Sequence, residues 1–243
     1  MTVIEIENLT KRYRNKVAVD GVSLRVERGQ VYGIAGTNGA GKTSLVECMS
    51  GLRHRDGGDL RVLGLDPWTD RRALQQRIGV QLQESALPDA LRVGEAFRLY
   101  ASLYAEPADW RTLMEQWDLA DKQRVRFGGL SGGWKQRLFI ALALVGNPEL
   151  VFLDELTTGL DPVARRTTWS LIRALRDRGL TVVLVTHFMD EAEALCDQVA
   201  IVDHGRVIAS GAPAALAARA GTDSLDNAYL VLVDGTRTGE DVA

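Results

Sequence analysis

The sequence predicts an α/β fold whose sheet is mostly parallel, and three observations predict it. Residues 31–35, 150–153 and 180–185 form short runs that are apolar almost throughout, as strands covered on both faces must be. Helix-like segments alternate with these runs on both sides of a long helical stretch. Polar, glycine-rich or acidic residues follow the runs directly, at the strand ends where such sheets gather their ligand-binding groups.

Taken in order, residues 3–9 alternate apolar and acidic side chains, the mark of a half-exposed strand, and residues 22–26 do the same before the turn at Glu27-Arg28-Gly29. Between them Tyr13 stands among the cations Lys11, Arg12 and Arg14, in what reads as a loop; its ring is either a partly exposed loop residue or a surface on which a base stacks. Residues 60–63 form a short strand, 70–77 an Arg-rich helix, and 78–83 a strand ending in Gln83. From Glu84 to Asn147 the pattern turns helical. Trp110, Leu113, Met114 and Trp117 fall at i, i+3, i+4 and i+7, a core-facing stripe. Leu130-Ser131-Gly132-Gly133 opens an apolar helix that stops at Gly146-Asn147-Pro148. Asp161-Pro162 caps the helix after the 150–153 strand, and Gly179 closes it. A short acidic helix over 190–196, a strand over 199–202 and a turn at Gly205 complete the pattern. Residues 221–243 read as a polar, partly disordered tail with one apolar island at 229–233.

The loop after the first buried strand is Gly36-Thr37-Asn38-Gly39-Ala40-Gly41-Lys42-Thr43, a full match to G-x-x-x-x-G-K-[S/T] with a strand before it and a helix after it. The glycines allow backbone N–H groups to face inward, and the new helix adds its positive dipole end, so the loop is suited to capture phosphates. Lys42 then reaches the β- and γ-phosphates, and the Thr43 hydroxyl is a ligand for Mg²⁺.

Asp154 and Glu155 end the second buried strand. The first is placed to hold Mg²⁺, the second to orient or deprotonate an attacking water. His187 ends the third, where it is a candidate donor to the γ-phosphate. Ser131 is placed as an N-cap, and Gly132 and Gly133 bare the first-turn N–H groups of their helix, which makes a second phosphate-binding helix end. Two phosphate-contacting elements beside one glycine loop invite a site shared between two chains.

A net charge of −3 offers no electrostatic case for a nucleic-acid partner. Residues 138–145 are the longest apolar run, too short to cross a bilayer, and no secretory leader is read at the N-terminus. Cys48 and Cys196 lie in helix-like apolar patterns and read as buried thiols suited to a reducing cytoplasm. Three scattered histidines make no zinc cluster.

With these residues in hand, Leu130-Ser131-Gly132-Gly133 some 20 residues before Asp154-Glu155 resembles the signature of ATP-binding cassette (ABC) proteins, the nucleotide-binding subunits of ABC transporters. The likeness runs from about Val3 to Gly211. It implies a single ABC-type ATP-binding domain over 1–243: a RecA-like phosphate-loop core over 1–83 and 148–220 with an N-terminal antiparallel β part, an inserted helical subdomain over 84–147, and the tail. By resemblance Tyr13 stacks on adenine, and the nucleotide is held by Gly36, Thr37, Asn38, Gly39, Ala40, Gly41, Lys42, Thr43 and Ser44. Gln83 matches the glutamine that senses Mg²⁺ and the membrane subunit; Asp154 and Glu155 match the Walker B aspartate and catalytic glutamate. Asp161 matches the D-loop and His187 the switch histidine, while Ser131, Gly132 and Gly133 serve the nucleotide of a second subunit. The runs Thr158-Gly159-Leu160-Asp161-Pro162 and Thr186-His187-Phe188-Met189-Asp190-Glu191-Ala192 look most like the drug- and antibiotic-export (ABC-2 type) branch.

The resemblance implies an ATPase using ATP and Mg²⁺ that pairs with a second such subunit and powers a separate membrane permease docked near 83–104. It would lie in the cytoplasm, peripheral on the inner face of the membrane. The alternatives are a soluble ABC-type ATPase working on ribosomes or DNA, disfavoured by the acidic balance, and a regulator without turnover, disfavoured by the intact Asp154-Glu155 pair. Two residues depart from the family pattern: Trp134 stands where Gln is usual and Leu156 where Pro is usual. Trp134 is either a packing residue or drift at a tolerant position; Leu156 reads as a change in loop stiffness.

Overall fold

The computed structural model describes residues 1–83 and 85–240, with side chains described as far as 235. Glu84, the expected first residue of the helical insertion, and residues 241–243 of the expected tail lie outside the described residues.

Strands β1 (Thr2–Tyr13), β2 (Lys16–Glu27) and β4 (Gly57–Val62) form an antiparallel sheet in the order β2-β1-β4. The second sheet has the order β5-β6-β7-β3-β8-β9, from β5 (Ile78–Gln81), β6 (Leu150–Asp154), β7 (Thr181–Thr186), β3 (Val31–Ala35), β8 (Gln198–Asp203) and β9 (Arg206–Gly211). It is parallel except for β9, which returns antiparallel to β8 through the turn at Gly205.

The parallel strands are apolar through most of their length because each face has its own core. Leu150, Phe152, Val183, Val185, Tyr32 and Ile34 face the antiparallel sheet and α1 (Lys42–Met49). Val151, Leu153, Val182, Leu184, Val31 and Ala35 face the other way, into a core shared with the helical insertion. Alternate side chains of a strand point to opposite faces, so both layers draw on the same short runs.

The segment 71–75 forms α2 (Arg71–Gln75). The insertion contains α3 (Val93–Ala101), α4 (Trp110–Gln116), single 3₁₀ turns at Ala120–Lys122 and Phe127–Gly129, and α5 (Gly132–Ala143). Met114 and Trp117 are buried and Trp110 and Leu113 pack against the same core, as the helical stripe requires. Helix α6 (Pro162–Asp177) begins at Asp161, whose carboxylate accepts from the N–H groups of Val163 and Ala164. Helix α7 (Met189–Leu195) follows β7. Both cysteines are free and buried.

Two expectations are corrected. Tyr13 ends β1 rather than sitting in a loop, because β1 stays paired with β2 to the last residue through a series of bulges. Much of the expected tail is helical after α8 (Pro213–Arg219): α9 (Leu225–Glu240) buries Leu225, Ala228 and Val233, and the Leu225 N–H donates to Glu193 in α7. Its few apolar residues recur at helical spacing, and a polar composition hid that face.

Candidate nucleotide site

Strand order explains how distant residues meet. Along the C-terminal edge of the sheet, β5, β6, β7 and β3 are neighbours, and they deliver Gln83, Asp154 with Glu155, His187 and the glycine loop in that spatial order. A cleft of about 510 Å³ is lined by Tyr13, Lys16, Ala18, Asn38, Gly39, Gly41, Lys42, Thr43, Ser44, Gln83 and Glu155.

The glycine loop is pressed against backbone on its far side. A Cβ on Gly36 would come within 2.2 Å of the Val202 carbonyl oxygen, and one on Gly41 within 2.1 Å of that of Ala18. Gly41 also has φ 105° as the N-cap of α1. Lys42 is buried; its Nζ donates to the carbonyls of Gly36 (2.8 Å) and Thr37 (2.9 Å). Burial lowers its pKa, opposed by the charges of Glu155 and Asp154. The ammonium is thus held inside the loop by acceptors that a phosphate oxygen can replace.

Thr43 Oγ1 donates to Asp154 Oδ2 at 3.3 Å. Asp154 is fully buried, and its Oδ1 has no hydrogen-bond partner. Its pKa is pushed up to about 6 by burial and by the Glu155 charge, against the Thr43 hydrogen bond and Lys42. A carboxylate left partly unsatisfied beside a threonine hydroxyl fits a hard divalent cation. The Asp154 N–H donates to Oε1 of Gln81, a buried residue that fixes the strand end. Sequence reasoning passed over Gln81; a polar side chain inside an apolar strand was its signal.

Glu155 turns the chain at φ 51°, a left-handed conformation uncommon outside glycine, fixed by its N–H donating to the Val185 carbonyl at 2.9 Å. Gln83 Nε2 donates to its Oε2 at 2.7 Å, and His187 Nδ1 lies 3.2 Å from its Oε1 without hydrogen-bond alignment. The next residue, Leu156, is fully buried in the core shared with the insertion, so it anchors the turn by packing. The Tyr13 hydroxyl reaches Glu47 Oε2 at 3.4 Å, and the ring keeps a half-exposed face on the cleft beside Lys11 and Arg53.

Ser131, Gly132, Gly133 and Asp161 do not line this cleft. They line a separate one of about 560 Å³, together with Trp134, Arg137 and the start of α6. Ser131 occupies the N-cap position of α5, but its hydroxyl makes no capping bond, which corrects the capping role expected for that side chain. Trp134 packs against the core of the insertion between two cations, Lys122 Nζ 5.1 Å and Arg137 Cζ 4.7 Å from its ring centroid.

Known proteins resemble this chain in sequence and in fold. The ABC transporter family model matches residues 19–158. The daunorubicin resistance ATP-binding protein DrrA3 of Streptomyces coeruleorubidus is 41% identical over 247 residues, covering 100% of this chain and 77% of that protein. The Nod factor export ATP-binding protein I of Burkholderia lata is 42% identical over 218 residues, 88% of this chain and 72% of that protein. A solved ATP-binding subunit of an ABC transporter superposes with a TM-score of 0.86 at 26% identity, over 95% of this chain and 99% of its own. The chain belongs to the ABC transporter family and is an ATPase of that family, with its α/β phosphate-loop fold.

Proposed function

We propose that the chain is the ATP-hydrolysing subunit of an exporter, acting as a pair of chains closed around two ATP and driving a separate membrane permease. One observation carries the shared site. The Ser131-Gly132-Gly133 helix end and the glycine loop of the same chain open into different clefts, so one chain offers two half-sites. The names of the drug-resistance and Nod-factor-export relatives support export of a small substrate.

In this reading Gly36, Thr37, Asn38, Gly39, Ala40, Gly41, Lys42, Thr43 and Ser44 hold the phosphates and Tyr13 stacks on the base. Thr43, Asp154 and Gln83 would hold Mg²⁺, which when bound supplies positive charge at the β- and γ-phosphates. Glu155 orients the attacking water and accepts its proton, Gln83 holds that carboxylate by a hydrogen bond, and His187 beside it donates to the γ-phosphate. Asp161 keeps the second cleft in shape by capping α6. Ser131, Gly132 and Gly133 present hydroxyl and N–H groups to the partner's nucleotide. Among the described residues no helix is long and apolar enough to cross a membrane. Docking on a permease near residues 83–104, at the inner face of the membrane, is supported by Leu99 and Leu103, 51% and 62% exposed.

Ser131→Arg tests the shared site. It should leave ATP binding by the isolated chain intact and abolish turnover, and mixing with Lys42→Ala chains should restore at most one composite site per dimer. Loss of ATP binding by the isolated Ser131→Arg chain would overturn the two-chain site.

A further inference from the structure

Glu191 is a carboxylic acid with no exposed surface, placed in the first turn of α7 just after His187. Its Oε1 accepts from Trp169 Nε1 at 3.0 Å, which ties α7 to the middle of α6. The hydroxyls of Thr186 and Thr157 interact with the same carboxyl. Both threonines are buried. Thr186 immediately precedes His187, and Thr157 lies two residues after Glu155. Glu191 Oε2 and Thr157 Oγ1 are each buried without an aligned partner. One buried acid therefore touches the helix that starts at Asp161, the turn that carries Glu155 and the strand end that carries His187.

We propose that Glu191 is a positioning residue for hydrolysis, a buried carboxyl that holds the Glu155 turn and the His187 turn in register with α6. This rests on the roles given above to Glu155 and His187. The groups against the carboxyl are an indole N–H and two threonine hydroxyls. Arg165 pairs with Asp190 at 2.7 Å and lies over the Trp169 and Phe188 rings. Burial raises the pKa of Glu191, with the neighbouring Asp190 acting the same way and the three neutral donors against it. A carboxyl has two oxygens, so one can accept from the indole while the other stays beside the threonine hydroxyls. The glycine loop takes no part in this cluster, so ATP affinity does not depend on it.

Steady-state ATPase of the full chain tests the assignment. Glu191→Gln keeps the shape and an acceptor for the indole, and should keep kcat within about 3-fold. Glu191→Met keeps the volume and loses the polar contacts; it should lower kcat on the order of 10- to 100-fold with little change in KM for ATP. Trp169→Phe removes the aligned donor at a half-buried position without threatening the fold, and should lower kcat in the same direction. Normal kcat in Trp169→Phe, normal kcat in folded Glu191→Met, or a Gln variant as impaired as the Met variant would overturn the proposal. Glu155→Gln run in the same assay keeps the two readings apart: normal turnover there defeats the role of Glu155 itself, whatever Glu191 does.

Discussion

Gln83 and Glu155, 72 positions apart, are joined by a 2.7 Å hydrogen bond from the amide to the carboxylate. The bond points the acid across the cleft mouth while Asp154 beside it faces the buried side. The two neighbouring carboxylates are thereby given different surroundings. Glu155→Gln should therefore stall hydrolysis by about 10²- to 10⁴-fold while ATP affinity changes little. Single-turnover assays with nucleotide-binding titrations check this; turnover at the wild-type rate would remove Glu155 from the chemistry.

Lys42→Ala should weaken ATP binding by at least about 10-fold, since a charge-assisted contact to phosphate is worth about 1.5–3 kcal/mol. The stability of the nucleotide-free protein should change far less, because the buried ammonium offsets its own desolvation with its two carbonyl bonds. Calorimetric titration and a thermal melt on the same variant separate the two effects.

Asp154 makes nucleotide-free stability depend on pH. Its carboxyl titrates at about 6 in the folded protein against 3.8 in the free group. Between those values the folded state binds more protons than the unfolded chain, so the contribution of this residue is greatest at low pH and declines as pH rises to about 6. With chelator present, the stability of wild type relative to Asp154→Asn should fall by about 3 kcal/mol across that interval. Denaturant melts at three pH values would show it, and a difference that grew with pH would contradict it.

Trp134→Gln should lower the unfolding free energy by about 1 kcal/mol, since a lost ring contact with two cations outweighs any capping bond gained. A variant both more stable and fully active would show that the indole has no packing role.

Leu225→Ala should cost about 2–4 kcal/mol by thermal or denaturant unfolding, a large value for a residue in a segment whose composition reads as a tail.

The legibility of this sequence follows from where local rules apply. The buried strands, the glycine loop and the acidic strand end could be read because burial on both faces and phosphate capture each demand particular residues in consecutive positions. Helix α9 could not, since its buried face rests on only a few residues whose partner surface is set by α7 and α8. Strand β9 escaped for a similar reason: its partly exposed residues are held by pairing with β8, and no apolar run announces them. The unused hydroxyl of Ser131 and the ring of Trp134 were also settled by tertiary contacts. A cap position can be inferred from spacing, whereas the bond a rotamer makes cannot.

Gly36 and Gly41 are backed by the carbonyl oxygens of Val202 and Ala18, and this has a consequence for kinetics. The conformational entropy of the loop is surrendered when the strands assemble, before any nucleotide arrives. Capture then requires an exchange of acceptors at Lys42 and no ordering of the chain, so association with a single subunit should proceed in one phase at a rate set by encounter. A side chain placed at either glycine would be felt first in the yield of folded protein and only afterwards in affinity.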